Sequence, residues 1–403
     1  MTQQSGSPTR LRAALIGYGR RGTQQAATLS ELPELFEFAA VCDPNAAAVE
    51  KAVGLYGCKG YTSVRELFAN EKLDVVVLVT PPELHHIGVK AAADHGVNLL
   101  VETPLATTRP MMDLIAETAE RAKIVVEVAE NYGRRPVEVL NRQVIEAGLI
   151  GKLVHITVFN GPANQDSAYH VVSQVRAYAG GADVTQVQAI SRSNESPGLR
   201  PGGDSLTHEH WVDAVLTLDN RMSATVNYVT SWTSPHRWTR PRIACVEGTD
   251  GYLVTADGGG AYRMHRVENG QQRDAALQVE SEQRGGQAVA VGFSYEGHPE
   301  LRVANQFANV KTEAGPGSVC DGIGRAAELL SLHRAVTEGV PVGYGLARGR
   351  RSQEVGLAIM EAARLNHPIS PDLDDETEWE RGEHDRFRAR FGADPFKDMD
   401  KLI

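Results

Sequence analysis

Three glycines near the start of the chain have the residue type and spacing needed to hold a diphosphate. Gly17, Gly19 and Gly22 match a Gly-x-Gly-x-x-Gly pattern, after an apolar run at residues 13–16 and before a segment, 23–32, that can form a helix. In this context the first glycine allows a tight turn, the second lets the backbone approach a pyrophosphate, and the third lets helix and strand pack closely. The helix N-terminus would add N–H groups and a favourable dipole. The candidate cofactor-binding residues of this loop are Gly17, Tyr18, Gly19, Arg20, Arg21 and Gly22.

A carboxylate at the end of the next apolar run indicates which dinucleotide the loop would bind. Asp43 follows Gly22 by about 20 residues, the offset at which an acidic side chain binds the adenine ribose hydroxyls. Such a carboxylate would repel a 2′-phosphate, so NAD is expected rather than NADP. Two alternatives stay open: Asp43 could be a solvated turn residue, and Arg20 or Arg21 could neutralise a 2′-phosphate.

Composition and charge predict a soluble globular protein without a nucleic-acid or membrane partner. The 403 residues are enough for two or three domains, and 42% of them are apolar and 23% charged. The net charge of −10 argues against a nucleic acid or a membrane surface as partner. The N-terminus is polar and no run of about 18 apolar residues occurs, so neither a signal peptide nor a membrane span is expected. Four scattered cysteines without a Cys-x-x-Cys pair favour a cytoplasmic location and predict no metal cluster.

Strand and helix patterns alternate through the first third of the chain. Strands are predicted at residues 13–16, 36–43, 74–80, 97–102 and 124–129, with helices between them at 23–32, 46–56, 64–71, 83–95 and 111–121. This order predicts an α/β domain at 13–135, a Rossmann fold with a doubly wound parallel sheet. Ligands bind beyond the carboxyl ends of such strands, and the last strand ends at Glu130 and Asn131. The candidate cofactor-binding residues at these ends are Thr80, Pro81, His85, Glu102 and Asn131.

The pattern changes after Pro136. Helices at 137–147 and 167–178 flank a strand at 152–160, and residues 183–311 show strand patterns joined by Gly-, Pro- and Asp-rich turns. Together with helices at 321–338 and 352–365, they predict a second, α+β domain at 136–371 with a large open, mostly antiparallel sheet. Residues 1–12 are expected to be a polar tail, and the highly charged residues 372–403 a partly ordered tail or a surface helix.

Four motifs make residues 13–372 resemble the glucose–fructose oxidoreductase and inositol dehydrogenase family (Gfo/Idh/MocA). They are the glycine loop; Thr80-Pro-Pro-Glu-Leu-His85, with Pro82 in place of the family's Asn; Val101-Glu-Thr-Pro-Leu-Ala106, with Thr103 in place of its Lys; and Asp166-Ser-Ala-Tyr-His170, like its Asp-x-Gly-x-His. The resemblance implies an NAD-dependent dehydrogenase acting on CH–OH groups of a small carbohydrate-like substrate. It also implies a homodimer or homotetramer formed through the open sheet.

The resemblance further implies that Asp166 and His170 face the nicotinamide from one helix. Their i, i+4 spacing places both on one helical face, about 6 Å apart at Cβ. Because histidine titrates near neutral pH, it can take a hydroxyl proton as hydride leaves the same carbon. The alternatives are that His170 is a packed or surface histidine and that Asp166 caps the helix. Glu102 would keep the family's cofactor-side role.

Thr103 is the departure from the family pattern that most affects the chemistry. The family's lysine lies near the substrate oxygen and the nicotinamide ribose, whereas threonine is uncharged and reaches only about half as far. Removing a positioned charge of this kind costs on the order of 10²–10³ in rate. Either another group supplies the charge or the chemistry differs. The candidates for the missing charge are Tyr132, Arg134, Arg135 and Arg176.

Two further groups of residues have weaker implications. His208 and His210 share one face of a predicted strand, but spacing places no third ligand beside them, so no metal site is predicted. Trp211, Trp232 and Trp238 could stack on a sugar, although filling a sheet interface is the favoured role.

Three functions are compatible with these motifs. The first is an NAD-dependent oxidoreductase acting on a secondary hydroxyl of a sugar, cyclitol or sugar derivative, with His170 as general base and Asp166 assisting. The second is an NAD-retaining glycosidase or lyase that oxidises its substrate only transiently, which the loss of the lysine favours. The third is a non-catalytic protein that senses a sugar or NAD, or binds a partner.

Overall fold

A computed structural model describes residues 9–161, 168–199, 205–229, 242–256, 262–307 and 316–403. Two sheets organise these residues, one of six strands and one of ten. Among the residues described, no helix is long and apolar enough to cross a membrane.

The six-stranded sheet is parallel and confirms the predicted doubly wound fold. Its strand order is β3-β2-β1-β4-β5-β6, and the order reverses between β1 and β4, where such sheets open a ligand-binding crevice. All four residues of β4 are fully buried, as the continuous apolar run predicts. The strands are β1 (Leu11–Ile16), β2 (Phe36–Cys42), β3 (Lys59–Tyr61), β4 (Val75–Leu78), β5 (Asn98–Val101) and β6 (Val126–Val128).

Five helices connect these strands. The predicted helix at 46–56 is confirmed at both ends, because Asn45 caps its N-terminus through its side chain and Gly57 ends it in the left-handed conformation. The strand β3 was not predicted, since its three residues include a glycine and are largely exposed. The helices are α1 (Arg20–Ser30), α2 (Ala46–Tyr56), α3 (Val64–Asn70), α4 (His85–Ala93) and α5 (Arg109–Ala122).

The ten-stranded sheet is antiparallel except where β7 pairs with β10, which confirms the prediction of a large, mostly antiparallel second sheet. Its order is β16-β15-β14-β13-β12-β11-β7-β10-β9-β8. The strands are β7 (Leu153–Phe159), β8 (Val184–Leu199), β9 (Ser205–Leu218), β10 (Ser223–Val229), β11 (Ile243–Gly248), β12 (Gly251–Ala256), β13 (Arg263–Glu268), β14 (Gln271–Arg284), β15 (Gln287–Tyr295) and β16 (His298–Ala304).

The remaining helices divide between the two sheets. Some pack in the core of the ten-stranded sheet and others in the cores of the six-stranded sheet. Val171 and Val175 of α7 share a core with Val158 of β7 and Ile359 of α9. Ile323 and Leu329 of α8 instead join the core around β1 and α1. The helix that carries His170 therefore lies in the core of the second sheet, while α8 packs against the first. These helices are α6 (Pro136–Glu146), α7 (Tyr169–Tyr178), α8 (Pro316–Glu338), α9 (Leu346–Leu365) and α10 (Glu378–Phe391).

The C-terminal segment contains a helix, the second of the two alternatives expected for it. Residues 372–403 contain α10, which begins with a capping box formed by Thr377 and Glu380 and which buries Phe387 in the core of the first sheet. Glu380 is fully buried and forms an ion pair with Arg109 at the start of α5, with Nη2 and Oε2 2.7 Å apart. The segment is therefore a packed part of the fold and not a loose tail, because its charged residues include partners for buried groups elsewhere.

Candidate functional site

The glycine loop has the geometry that the sequence pattern predicts. Gly17 adopts a φ of +96°, and a Cβ there would lie 2.5 Å from the carbonyl oxygen of Val79. A Cβ on Gly22 would lie 2.1 Å from the carbonyl oxygen of Gly17, so only glycine lets α1 approach the loop. Gly19 starts α1 with no side-chain cap, and nothing lies within 4 Å of an added Cβ. These positions fit a diphosphate bound at the start of α1.

Asp43 lies next to this loop, immediately after β2. Its Oδ2 accepts a hydrogen bond from the Tyr18 N–H at 2.7 Å, and its Oδ1 accepts one from the Asn45 N–H at 2.9 Å. Each carboxylate oxygen can accept a second bond, so the side chain is held in place and can still receive ribose hydroxyls.

Three of the predicted cofactor-binding residues, Thr80, Pro81 and His85, lie between the end of β4 and the start of α4. The Thr80 Oγ1 is buried and has no hydrogen-bond partner within the described part of the chain. An orphaned hydroxyl at this edge suits a polar ligand in the crevice. His85 corrects an expectation: its ring is 1% exposed, and its nitrogens face the carbonyls of Thr80 at 2.9 Å and Leu105 at 3.1 Å. Burial lowers the pKa of His85. His85 therefore joins two loops and offers no nitrogen to a cofactor.

Glu102 follows β5 and is held by three donors. Its Oε1 accepts from the Arg21 Nε and the Gln25 Nε2, each at 2.7 Å, and its Oε2 accepts from its neighbour's backbone N–H at 3.1 Å. Burial acts to raise the pKa of Glu102, but the Arg21 charge and these hydrogen bonds outweigh it and lower that pKa. Arg21 is therefore engaged with Glu102, which removes it as a partner for a 2′-phosphate beside Asp43.

A carboxylate, an imidazole and a hydroxyl meet where the two sheets adjoin. His170, on α7, is 7% exposed, and its Nδ1 lies 2.9 Å from Oε2 of Glu130, which follows β6 shortly after its end. Its Nε2 lies 3.3 Å from the Thr103 Oγ1. The second Glu130 oxygen accepts the Tyr132 N–H at 3.0 Å. Because a carboxylate only accepts, the proton of neutral His170 lies on Nδ1, and Nε2 faces the threonine hydroxyl as a base.

Sequence reasoning missed Glu130 as the partner of His170. The signal was present, because Glu130 follows a strand at the ligand-binding edge, but Asn131 was selected there instead. Asn131 is 3% exposed and packs against α8, where a Cβ on Gly324 would lie 2.8 Å from its carbonyl oxygen. Asp166, the predicted partner of His170, lies outside the described residues, so its role stays a prediction.

The arginines proposed for the missing charge have other partners. Arg134 pairs with buried Glu127, Arg135 with Glu138 at 2.7 Å, and Arg176 lies 3.6 Å from Asp183 and 3.3 Å from the hydroxyl of Ser352. Each is therefore part of the framework around the site.

Tyr132, the fourth candidate, does lie at the site. Its ring centroid is 4.7 Å from that of His170, and its hydroxyl is 3.2 Å from the Arg242 Nη1. Arg242 therefore places a positive charge beside Tyr132. Sequence reasoning did not select Arg242, because it lies more than a hundred residues from Tyr132 in the chain.

The absence of a metal site at the histidine pair stays a prediction. His208 and His210 lie on β9, but their side chains are not among those described. Within the described ranges, no group of three or more His, Cys, Asp or Glu residues could hold a metal ion. Trp232 and Trp238 also lie outside these ranges, and Trp211 is half-buried on β9.

Comparison with known sequences supports the assignment of the first domain. Residues 11–130 match the sequence model of GFO_IDH_MocA, described as "Oxidoreductase family, NAD-binding Rossmann fold". The chain is 35% identical over 158 residues to "Glycosyl hydrolase family 109 protein 2" of Shewanella sp. strain ANA-3, a match that covers 36% of this chain and 34% of that protein. It is 33% identical over 214 residues to "Rhizopine catabolism protein MocA" of Rhizobium meliloti, covering 49% of this chain and 66% of that protein. The chain thus spans about a third of the length of the glycosyl hydrolase relatives that it matches.

Solved structures share the fold over most of the chain. A levoglucosan dehydrogenase in complex with NADH and levoglucosan has a TM-score of 0.69 at 20% identity, covering 91% of this chain and all of that one. An oxidoreductase from Agrobacterium radiobacter in complex with NAD+, L-tartaric acid and magnesium has a TM-score of 0.67 at 18% identity, covering 90% and 99%. At these identities the likeness concerns the fold alone. The sequence match and the geometry of the glycine loop lead to one conclusion: residues 11–130 form an NAD-binding Rossmann domain of the Gfo/Idh/MocA oxidoreductase type.

Proposed function

We propose that the protein is an NAD-dependent oxidoreductase acting on a secondary hydroxyl of a sugar, cyclitol or sugar derivative, with His170 as the general base. The observation that carries the proposal is the pair of contacts made by His170: Glu130 on Nδ1 at 2.9 Å and Thr103 on Nε2 at 3.3 Å. This imidazole is buried and held in one orientation at the carboxyl edge of the NAD-binding sheet, where the base of a hydride-transfer reaction is needed.

The cofactor would lie along the edge formed by the glycine loop, Asp43 and Glu102. The start of α1 would receive the diphosphate, and Asp43 the adenine ribose hydroxyls, which favours NAD over NADP. Glu102 and Thr80 add polar side chains at the same sheet edge, after β5 and β4. When bound, NAD supplies the acceptor for the hydride.

The substrate proton moves to His170, which Glu130 orients. Glu130 holds the Nδ1 proton, so Nε2 accepts the proton of the substrate hydroxyl, either directly or through the Thr103 hydroxyl that now occupies it. As the O–H bond breaks, hydride leaves the same carbon and a carbonyl forms. The imidazolium that results lies beside a carboxylate, which stabilises its charge. The carboxylate role expected of Asp166 is thus assigned to Glu130, and Asp166 is left to contact the substrate.

Absorbance near 340 nm tests the proposal. The purified protein with NAD and a panel of sugars, cyclitols and their derivatives should produce NADH with at least one substrate, and substitution of His170 by Ala should abolish it. NAD binding without NADH formation from any member of the panel would contradict the dehydrogenase function.

An NAD-retaining glycosidase or lyase is a second candidate, favoured by Thr103 in place of the family's lysine and by relatives whose names include "Alpha-N-acetylgalactosaminidase", 33% identical over 158 residues. In such an enzyme the hydride returns to the substrate within each turnover. Cleavage of a chromogenic glycoside with no net NADH would select this function, whereas saturable binding without turnover would indicate a sensor or partner-binding protein.

We also propose that the ten-stranded sheet forms the interface of a homodimer or homotetramer. Strand alternation places exposed apolar side chains on one face: Phe159, Ile190, Val215, Tyr252 and Val267. Apolar side chains spread over a sheet face are typical of a protein interface. Light scattering should give a dimer or tetramer mass, and the double substitution Phe159→Asp and Val215→Asp should convert it to a monomer.

A further inference from the structure

A second buried carboxylate lies directly behind Glu102. Glu328, on α8, is fully buried, and its Oε1 accepts a hydrogen bond from the Gln25 Nε2 at 2.7 Å. The same nitrogen donates to Glu102 Oε1 at 2.7 Å. The fully buried Gln25 amide therefore links the carboxylate at the cofactor edge to one on a helix 303 residues further along the chain.

The hydrogen bonds of this cluster are incomplete without one more proton. The Gln25 Oε1 and the Glu328 Oε2 are both buried, and neither has a partner within the described part of the chain. Both atoms are acceptors when Glu328 is ionised, so neither can satisfy the other. A proton on Glu328 supplies the missing donor, because a carboxylic acid and an amide can exchange two hydrogen bonds side by side. Rotating the amide does not help, since its oxygen would then face two carboxylate oxygens.

Burial and the charge of Glu102 also favour the protonated form of Glu328, and they outweigh two nearby arginines. The charges acting on Glu328 are Glu102 after β5, Arg21 on α1, and Arg134 after β6. Arg21 is bonded to Glu102 and Arg134 to Glu127 of β6, while Glu138 of α6 is bonded to Arg135. Burial, followed by the charge of Glu102, raises the pKa of Glu328 to about 8. Arg21 therefore neutralises one of the two linked carboxylates, and a proton neutralises the other.

We propose that Glu328 is a positioning residue that carries a proton, donates it to the Gln25 Oε1, and through Gln25 fixes Glu102 at the cofactor edge. Loss of this proton places two negative charges on one amide N–H₂ group in a buried site. The Gln25 amide then cannot hold both carboxylates in place, and Glu102 loses its fixed orientation. The consequence for NAD rests on the proposed position of the cofactor beside Glu102.

The proposal predicts that NAD affinity depends on pH in a particular way. Glu328 has a raised pKa, so the arrangement that needs its proton persists above the usual glutamate range and is lost as pH rises through about 8. If only the protonated form holds Glu102 correctly, the apparent Kd for NAD rises about tenfold at one pH unit above the pKa. Glu328→Gln keeps a neutral donor of the same shape, and it should bind NAD within about twofold of the native protein at pH 7 and lose the alkaline weakening.

Two measurements on the full chain test this proposal. NAD titrations by calorimetry from pH 6 to pH 9.5 compare the native protein with Glu328→Gln and with Glu338→Gln, a matched control at an exposed site on the same helix that pairs with Arg334. Infrared spectroscopy of the protein without NAD should show a protonated carboxylic acid at pH 7 that titrates near pH 8 and is absent from Glu328→Gln.

The expected result is alkaline weakening of NAD binding in the native and Glu338→Gln proteins only, together with loss of the infrared band in Glu328→Gln. An equal pH dependence in Glu328→Gln and the native protein, or an infrared band that survives the substitution, would overturn the inference. Failure of the native protein to bind NAD at any pH would instead refute the cofactor-dependent function, while the infrared band would still test the proton on Glu328.

Discussion

Replacing Glu130 by Gln tests whether one carboxylate sets the protonation of the site. The native carboxylate accepts from two donors, the His170 Nδ1–H and the Tyr132 N–H. Glutamine has the same shape but only one oxygen. The backbone N–H of Tyr132 cannot reverse its role, so the glutamine oxygen turns to it and the amide N–H₂ faces His170. The imidazole proton then moves to Nε2, where it blocks acceptance of the substrate proton.

The size of the effect follows from these contacts. Forcing the proton back to Nδ1 leaves two donors facing each other at a residue that is 1% exposed, which costs about 1–3 kcal/mol. The imidazolium formed during reaction also loses a charged hydrogen-bond partner, a contribution of about 1.5–3 kcal/mol. The sum of about 2.5–6 kcal/mol corresponds to a reduction in kcat of about 10²–10⁴. NAD affinity should change by no more than a few-fold, because Glu130 touches the base and not the glycine loop.

Stopped-flow measurement of nicotinamide reduction, with the substrate identified by the panel, provides the assay. Glu127→Gln is the matched control: it neutralises another buried glutamate, on β6 just before Glu130 in the chain, whose partners include Arg134 and Ser331 and not His170. Nitrogen NMR of the histidine rings should show the Nδ1–H tautomer of His170 in the native protein and the Nε2–H tautomer in Glu130→Gln. A variant with the switched tautomer and undiminished hydride transfer would refute the reasoning.

Three further predictions follow from the structure. Asp43→Ala should lower the preference for NAD over NADP, because it removes the carboxylate beside the ribose site; calorimetric titration with both cofactors measures it, and tighter NADP binding by the native protein would contradict the assignment. Thr103→Lys should reduce hydride transfer with NAD binding largely kept, because the ammonium would crowd His170 Nε2, only 3.3 Å from the present hydroxyl; a faster variant in the same stopped-flow assay would show that the site merely lost its lysine. Glu380→Ala should lower the free energy of unfolding in urea at pH 7 by about 3–5 kcal/mol, because it leaves buried Arg109 unpaired. Burial opposes ionisation of Glu380, but the hydrogen bonds from Arg109 and the Thr377 backbone outweigh it and lower the pKa of Glu380. The ion pair therefore stabilises the fold above the usual glutamate pKa range, and the difference in unfolding free energy between the native protein and Glu380→Ala should shrink as pH falls below that range. A difference that does not change with pH would argue against the ion pair.

The sequence alone determined the features that depend on neighbouring residues. The glycine spacing, the carboxylate at Asp43 and the apolar run of β4 act through local backbone geometry and alternation, so they predicted the diphosphate loop and the parallel sheet. The helix at Ala46–Tyr56 was predicted to the residue because its cap and its glycine stop lie within one turn of its ends.

Only the tertiary structure decided which distant side chains share a proton or a charge. Glu130 and His170 are 40 residues apart, Gln25 and Glu328 are 303 apart, and each pair meets because separate elements pack against one another. The same holds for His85, whose type suggested a ligand contact but whose burial between two loops gives it a framework role. The residue pattern of a segment limits the conformation of that segment. The partner of a side chain across the core depends instead on how whole helices and sheets pack, so residue spacing within one segment cannot predict it.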